Sequence, residues 1–281
     1  MQMLRIAGLM TGLTILMVAA GAWFGGQSGA VLMFLIAAAM NLGSYWFSDR
    51  AVLRMYRARI VDRDEAPELY AMVERLALRA GLPMPTVAIS PQPQPNAFAT
   101  GRSPEKGVVC FTQGILQALS KNELEGVAAH ELAHIKHRHM LVSAIAATMA
   151  GAITMLAVVA RWGAIFAGGR DGDRNPIALL AMSLVAPLAA AVVQMAISRQ
   201  NEFQADRTGA EIAGTPLGLA SALRRMDSYA DRIAMDVNPA GASLAIVNPL
   251  RGRRAAGFGK LFLTHPPIEE RIERLREIGA P

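Results

Sequence analysis

The sequence predicts a mainly α protein with a small β-sheet, in which a water-facing domain is combined with four transmembrane helices in two hairpins. Composition is the first reason. Of 281 residues, 53% are hydrophobic and only 18% are charged, too apolar a balance for an ordinary soluble domain. The second reason is that the excess is concentrated. Residues 7–24, 29–47, 140–160 and 177–197 are four uncharged apolar runs, each about long enough to cross a bilayer core. The third is that the segments between them carry the periodicities of amphipathic helices and short strands. The expected organisation is two N-terminal spans (1–48), the first part of the water-facing domain (49–139), a second hairpin (140–197) and the rest of that domain (198–281).

The first run is expected to be a span, with a cleaved leader as the weaker alternative. A second apolar run follows it at once, and no small-x-small cleavage site precedes a polar chain. Runs three and four have an alternative as buried or partly embedded helices, with Pro187 a kink in the fourth. Arg5 precedes the first span, and Arg50, Arg54, Arg57 and Arg59 follow the second, while the turn between them is uncharged. Lys136 and Arg138 precede the third span, Arg199 and Arg207 follow the fourth, and the intervening turn is balanced by Asp171 and Asp173. Positive flanks stay in the cytoplasm, so the water-facing domain is expected there. The single cysteine, Cys110, permits no intrachain disulfide and reads as a core residue. The net charge of +6 lies mostly at membrane flanks, which points to lipid head groups and not to nucleic acid. The loop cluster Arg251, Arg253, Arg254 and Lys260 reads as solvated.

Within the first water-facing segment, residues 66–81 have a helical apolar face of Leu69, Met72, Val73, Leu76 and Leu78, ended by Gly81 and Pro83. Residues 86–90 and 108–112 read as strands. The Pro-Gln stretch 91–95 excludes a helix or a central strand and serves as a stiff connector. Ser120 and Glu123 fit a capping box opening a helix that runs on into the third span.

That helix carries His130-Glu131-Leu132-Ala133-His134. Two imidazoles four residues apart lie on one helical face and can hold one metal ion. Glu131, beside the first, can take a proton from a metal-activated water as general base. This is the donor pattern of a zinc hydrolase with one Zn2+ per chain. Four of the five histidines fall within 130–139; His137 and His139, between Lys136, Arg138 and the third span, read as a basic helix end at the membrane surface. A catalytic zinc needs a third protein ligand. Glu202, in the SRQNEFQAD segment after the fourth run, is the candidate, because a hairpin of spans three and four returns it to the same membrane face. Asp206, one turn on, is placed to fix the tautomer of a ligating imidazole. Arg199 is a candidate oxyanion donor, with an ion pair to Asp206 or a lipid contact as alternatives. Asn96, Ala97, Phe98 and Ala99 are candidate substrate-binding residues, since a sheet edge beside the motif helix can take an extended peptide as an added strand; an ordinary hairpin is the alternative.

HELAH, then SRQNEFQAD, then Thr264-His265-Pro266-Pro267 with Glu270 and Arg271 resembles the HtpX-type membrane metallopeptidases, relatives of the CAAX prenyl endopeptidases and the Oma-type stress peptidases. The resemblance covers nearly the whole chain. It implies a zincin-like peptidase domain, Glu202 as a zinc ligand, His265 as an oxyanion donor, and a multi-pass protein of the bacterial inner membrane. It also implies stress-linked breakdown of unfolded, misfolded or damaged membrane proteins. Many relatives have Asp where this chain has His139. Pro266 and Pro267 open a helix over 268–278, expected to be a packing element. Three other readings compete: a processing peptidase with one dedicated substrate, a zinc-stabilised scaffold without catalysis, and a transporter. A structural zinc is usually closed by four ligands, often thiolates, and only Cys110 offers one. A transporter would carry ionisable groups inside its spans, and these spans carry none.

Overall fold

Helix α1, Gln2–Met55, opens the chain and is broken at Gly25 and Gly26. Gly26 has φ +59°, a conformation that glycine adopts without steric cost. The two limbs contain the segments Met3–Trp23 and Gly25–Phe47, each long and apolar enough to span a membrane. This is a computed structural model, and it describes residues 2–166, 198–230, 246 and 266–279. The chain parts into two units, Met1–Trp46 with Val142–Ile197, and Phe47–Leu141 with Ser198–Pro281.

In the first unit the limbs of α1 turn large apolar side chains outward. Leu4, Ile15, Trp23, Leu35 and Leu42 are all exposed, as expected of a surface solvated by lipid. Between the limbs Leu13 and Met17 pack with Ala37, and polar contacts lie alongside. Asn41 is buried and its amide donates to Met10 O at 3.3 Å and Thr14 Oγ1 at 3.1 Å. Ser44 and Thr148 share a 2.6 Å hydroxyl hydrogen bond, joining α1 to helix α5, His139–Phe166. Such bonds are worth about 1 kcal/mol each in a membrane. The third apolar run lies in α5; the fourth lies outside the described residues.

The second unit is built on a four-stranded mixed sheet of order β1-β2-β4-β3, with β1 Arg59–Ile60, β2 Thr86–Ser90, β3 Ala97–Thr100 and β4 Val108–Thr112. β2 runs parallel to β4, and the other two pairs are antiparallel. Period-two alternation sorts the side chains. Val87, Ala97, Ala99, Val109 and Phe111 join the main core. Ala88, Phe98, Val108 and Cys110 face the other way and pack with Val52 and Tyr56 from the end of α1. Both faces are therefore covered, and β4 is buried throughout. The Pro-Gln connector is fastened by Thr112. Its Oγ1 donates to Gln94 O at 2.8 Å and accepts from the N–H groups of Asn96 and Ile115, the latter capping α3, Gln113–Ala118.

The main core joins the sheet to α2, Pro67–Ala80, and α4, Lys121–Lys136. It also includes residues of α6 (198–213), α7, Leu217–Ala230, and α8, Ile268–Ile278. In α2 the buried face is Leu69, Met72, Val73, Leu76, Ala77 and Ala80. Leu78 is 82% exposed, because it lies about 170° from that stripe's centre and Ala77 and Ala80 complete the stripe instead. The expected continuous helix from the HELAH motif into the third run is interrupted. α4 ends at Lys136, His137 caps it, and Arg138 takes φ +56° before α5 begins.

The capping box at the start of α4 is present: Ser120 N–H and Oγ–H both donate to Glu123 Oε2, at 2.8 and 2.9 Å. The other carboxylate oxygen of Glu123 accepts from Ser221 Oγ at 2.6 Å and Arg225 Nε at 3.1 Å, tying α4 to α7. Burial raises the Glu123 carboxyl, but these hydrogen bonds and Arg225 outweigh it and hold it below its ordinary value. A depressed folded-state pKa stabilises above the unfolded value and is lost as pH falls through the folded one. Glu123→Gln is expected to cost about 1–2 kcal/mol at pH 7, with the gap from wild type closing below about pH 4; thermal melts of both proteins against pH check this.

Candidate metal centre

The site is assembled by three helices of the second unit. α4 supplies His130, Glu131 and His134, α6 supplies Glu202 and Asp206, and α8 supplies Arg271. His130, Glu131, Glu202, Asp206 and Arg271 are all buried. His130 Nε2 lies 3.1 Å from His134 Nε2 and 3.6 Å from Glu202 Oε2, and His134 Nε2 lies 3.5 Å from Glu202 Oε1. Bonds of about 2.0–2.1 Å to a tetrahedral zinc separate ligand atoms by about 3.3 Å, so this spacing fits one ion. His130 Nδ1 is 3.0 Å from Asp206 Oδ1; with that ring's proton on Nδ1, facing the carboxylate, the Nε2 lone pair is turned toward His134 and Glu202. The metal-facing atoms are thus electron-pair donors, the chemistry that a divalent cation satisfies.

Chain geometry explains the convergence. Glu202, Asp206 and Gly209 stand at i, i+4 and i+7 of α6, on one face. A Cβ on Gly209 would meet His130 Cα at 2.9 Å, so glycine is what lets α6 lie against α4 at the first candidate ligand. Arg271 closes the third side. Its Nε and Nη2 donate to the two Asp206 oxygens at 2.9 and 2.7 Å, and its Nη1 lies 3.0 Å from Glu202 Oε2; Nη2 is also 3.3 Å from His130 Nε2. The guanidinium therefore orients both carboxylates and offsets their charge in a dry site.

The charges are strongly coupled. Burial opposes a charge on His130, but the carboxylates of Asp206 and Glu202 beside it outweigh that and raise the imidazole to about 9; the same negative field attracts a metal ion. Burial holds His134 well below its ordinary value. Burial pushes the Glu131 carboxyl up to about 7, with His130 pulling it down, Glu202 adding to the rise, and Arg271 and the Ala99 N–H opposing it. Asp206 is raised by burial but held low overall by Arg271 and His130.

β3 is the sheet edge, and its residues divide by pairing. Thr112 N–H donates to Asn96 O at 2.9 Å, so Asn96 is in a hydrogen-bonded pair. By antiparallel alternation Phe98 and Thr100 are too, while Ala97 and Ala99 turn their backbone groups outward from β4. Ala99 N–H accordingly reaches Glu131. Phe98 is buried against Tyr56, ring centroids 4.3 Å apart, on the sheet face away from α4. Asn96 Oδ1 accepts from Ile246 N–H at 3.0 Å. The side chains of Asn96 and Phe98 are engaged by the fold.

Two expectations change. Asp206 has Arg271 as its arginine partner, and Arg199 is exposed on α6. His139, expected as part of a basic helix end at the membrane surface, is only 1% exposed and lies beside His134, because the break at Arg138 folds the chain back. His265 lies outside the described residues. Arg271 was read as part of a packing helix, yet the pattern carried a signal. Ile268, Arg271, Ile272 and Leu275 are all buried in α8 at i, i+3, i+4 and i+7, so a charged residue occupies a core-facing position, where it needs a buried partner.

The model of the family described as "Peptidase family M48" matches residues 63–279. The chain belongs to that family. It is 56% identical to a protease HtpX homolog of Gemmatimonas aurantiaca, over all of both chains. It is 52% identical to one of Pelotomaculum thermopropionicum, over 99% of this chain and 100% of the relative, and 53% identical to one of Ralstonia pickettii, over 96% and 94%. In fold it is similar to the crystal structure of S. mikatae Ste24p, with TM-score 0.57 and 19% identity, covering 94% of this chain and 62% of that one. The chain is thus a membrane-associated peptidase, and the M48 metallopeptidase family implies a metal cofactor, for which the His130, His134 and Glu202 group is the fitting site among the described residues.

Gly209→Ala is expected to push α6 from α4, because the added methyl meets backbone. The expected result is a loss of about 1–3 kcal/mol of stability together with lower metal content, read by thermal melts and by metal analysis of the purified protein.

Proposed function

We propose that this protein is an integral-membrane zinc endopeptidase that cleaves misfolded or damaged membrane proteins. One observation carries the catalytic part of that reading: two imidazoles and a carboxylate converge at tetrahedral spacing, with a buried fourth group, Glu131, alongside on the same helix. His130, His134 and Glu202 hold the ion, and three protein ligands leave a position open. Zinc bound there supplies Lewis-acid polarisation of a water and of the scissile carbonyl. Glu131 takes the proton of the attacking water and passes it to the leaving amine. Asp206 fixes the His130 ring, and Arg271 holds Asp206 and Glu202 in place. His265 is the proposed oxyanion donor.

An extended substrate backbone pairs with the outward backbone groups of Ala97 and with the carbonyl of Ala99, whose N–H meets Glu131, on β3. This narrows the four candidate residues to the two whose backbone groups are directed away from β4. Backbone pairing reads no side chain, so it suits a peptidase that accepts many unfolded sequences. The exposed apolar limbs of α1 and the arginine-rich flanks support a multi-pass protein of the bacterial inner membrane, with the peptidase unit on the cytoplasmic side.

The test uses the full chain purified in detergent. Glu131→Gln is expected to keep wild-type zinc content and lose at least about 100-fold in cleavage of an unfolded membrane protein. Chelation of the wild type should abolish cleavage, with zinc restoring it. Equal cleavage by Glu131→Gln and wild type would remove Glu131 from its role.

A further inference from the structure

We propose that His139 is a positioning residue for the metal ligand His134, acting through a hydrogen-bonded chain that runs on to Gln204, His137 and Thr208. The inference rests on the reading of His134 as a ligand.

The distances define the chain. His134 Nδ1 is 3.2 Å from His139 Nδ1. His139 Nε2 is 3.1 Å from Gln204 Oε1. Gln204 Nε2 is 3.3 Å from His137 Nδ1, and His137 Nε2 is 2.9 Å from Thr208 Oγ1. With the Nε2 of His134 facing the metal, its proton lies on Nδ1 and is donated to His139 Nδ1. His139 then carries its own proton on Nε2 and donates it to Gln204 Oε1. The Gln204 amide N–H donates to His137 Nδ1, and His137 Nε2–H donates to the Thr208 hydroxyl. Each contact then has one donor and one acceptor, so a single set of tautomers serves all five residues.

The backbone shows that this contact is built. In an unbroken helix, positions 134 and 139 point about 140° apart and their side chains cannot meet. The left-handed turn at Arg138, φ +56°, is unusual for a residue with a side chain. It brings His139 under His134, with ring centroids 5.1 Å apart and planes at 75°. α6 supplies both Gln204 and Glu202. The chain therefore links one candidate ligand's ring orientation to the helix that carries another. Asp206 does the corresponding work on His130 Nδ1, so each ligating imidazole has its own acceptor, one anionic and one neutral.

The contact runs through His139 Nδ1, whose place along the side chain matches an Oδ of Asp or Asn. His139→Asn and His139→Asp therefore preserve the acceptor, and His139→Leu, of similar size to Asn, removes it. Zinc affinity is measured on the full chain in detergent by chelator competition, with thermal melts of the zinc-free proteins alongside. His139→Leu is expected to bind zinc about 10–100-fold more weakly, and Asn and Asp within a few-fold of wild type. Gln204→Leu, at an exposed position, frees the His139 tautomer without disturbing the core and is expected to weaken zinc several-fold. Unchanged zinc affinity in His139→Leu overturns the proposal, as does equal weakening in the Leu, Asn and Asp variants. Should His139→Leu fail to fold, unchanged affinity in Gln204→Leu overturns it. A wild type that binds no zinc overturns the underlying reading of the site instead.

Discussion

The arrangement of the peptidase unit depends on a buried, nearly balanced charge cluster. Glu202, Asp206 and Arg271 come from two helices far apart in sequence, and His130 from a third, yet all are removed from water. Isolated burial of any one would be costly. Together they offset one another through the Asp206–Arg271 pair at 2.7 and 2.9 Å and the Glu202–Arg271 contact at 3.0 Å. The cluster fixes the register of α6 and α8 against α4, and the smallness of Gly209 permits it. Breaking a buried pair by removing one partner commonly costs several kcal/mol, so this cluster is a structural joint as well as a chemical site.

That joint explains why the site is formed by helices and the sheet stands beside it. α4 packs on the face of the sheet to which Ala97 and Ala99 belong, and the sheet's edge strand delivers one backbone N–H to Glu131. The Glu131 carboxylate is thereby held between the candidate metal ligands and a strand with outward backbone groups. The membrane-facing features follow different physics. In α1 many large apolar groups, Leu4, Trp23 and Leu35 among them, point out, while Leu13, Met17 and Ala37 pack inside and Asn41 and Ser44 make hydrogen bonds.

Much of this was legible in the sequence because the signals were local. The i, i+4 histidines, the Ser120–Glu123 capping box, the two apolar limbs of α1, and the strands 86–90 and 108–112 each depend on neighbours a few residues away. The meeting of Glu202 with the two histidines was legible because its spacing to Asp206 and its place after an apolar run combined with the HELAH motif. What was misread depended on long-range or backbone facts. Arg271 looked like part of an amphipathic packing helix, and only the position of its partners, 65 residues away at Asp206, gives its role. His139 reads in sequence as part of a basic helix end at the membrane surface because the helix is expected to continue, and a single left-handed residue at Arg138 turns it into the interior. Phe98 and Asn96 were grouped with Ala97 and Ala99 because no local pattern tells which backbone groups of an edge strand are already paired.

The central claim is the coordination shell. X-ray absorption at the zinc edge on the zinc-loaded full chain measures it directly. The account predicts a nitrogen–oxygen shell at about 2.0–2.1 Å, with outer-shell scattering from two imidazoles that disappears when His130 and His134 are both replaced. A shell containing sulfur, or imidazole scattering that survives the double replacement, would contradict it.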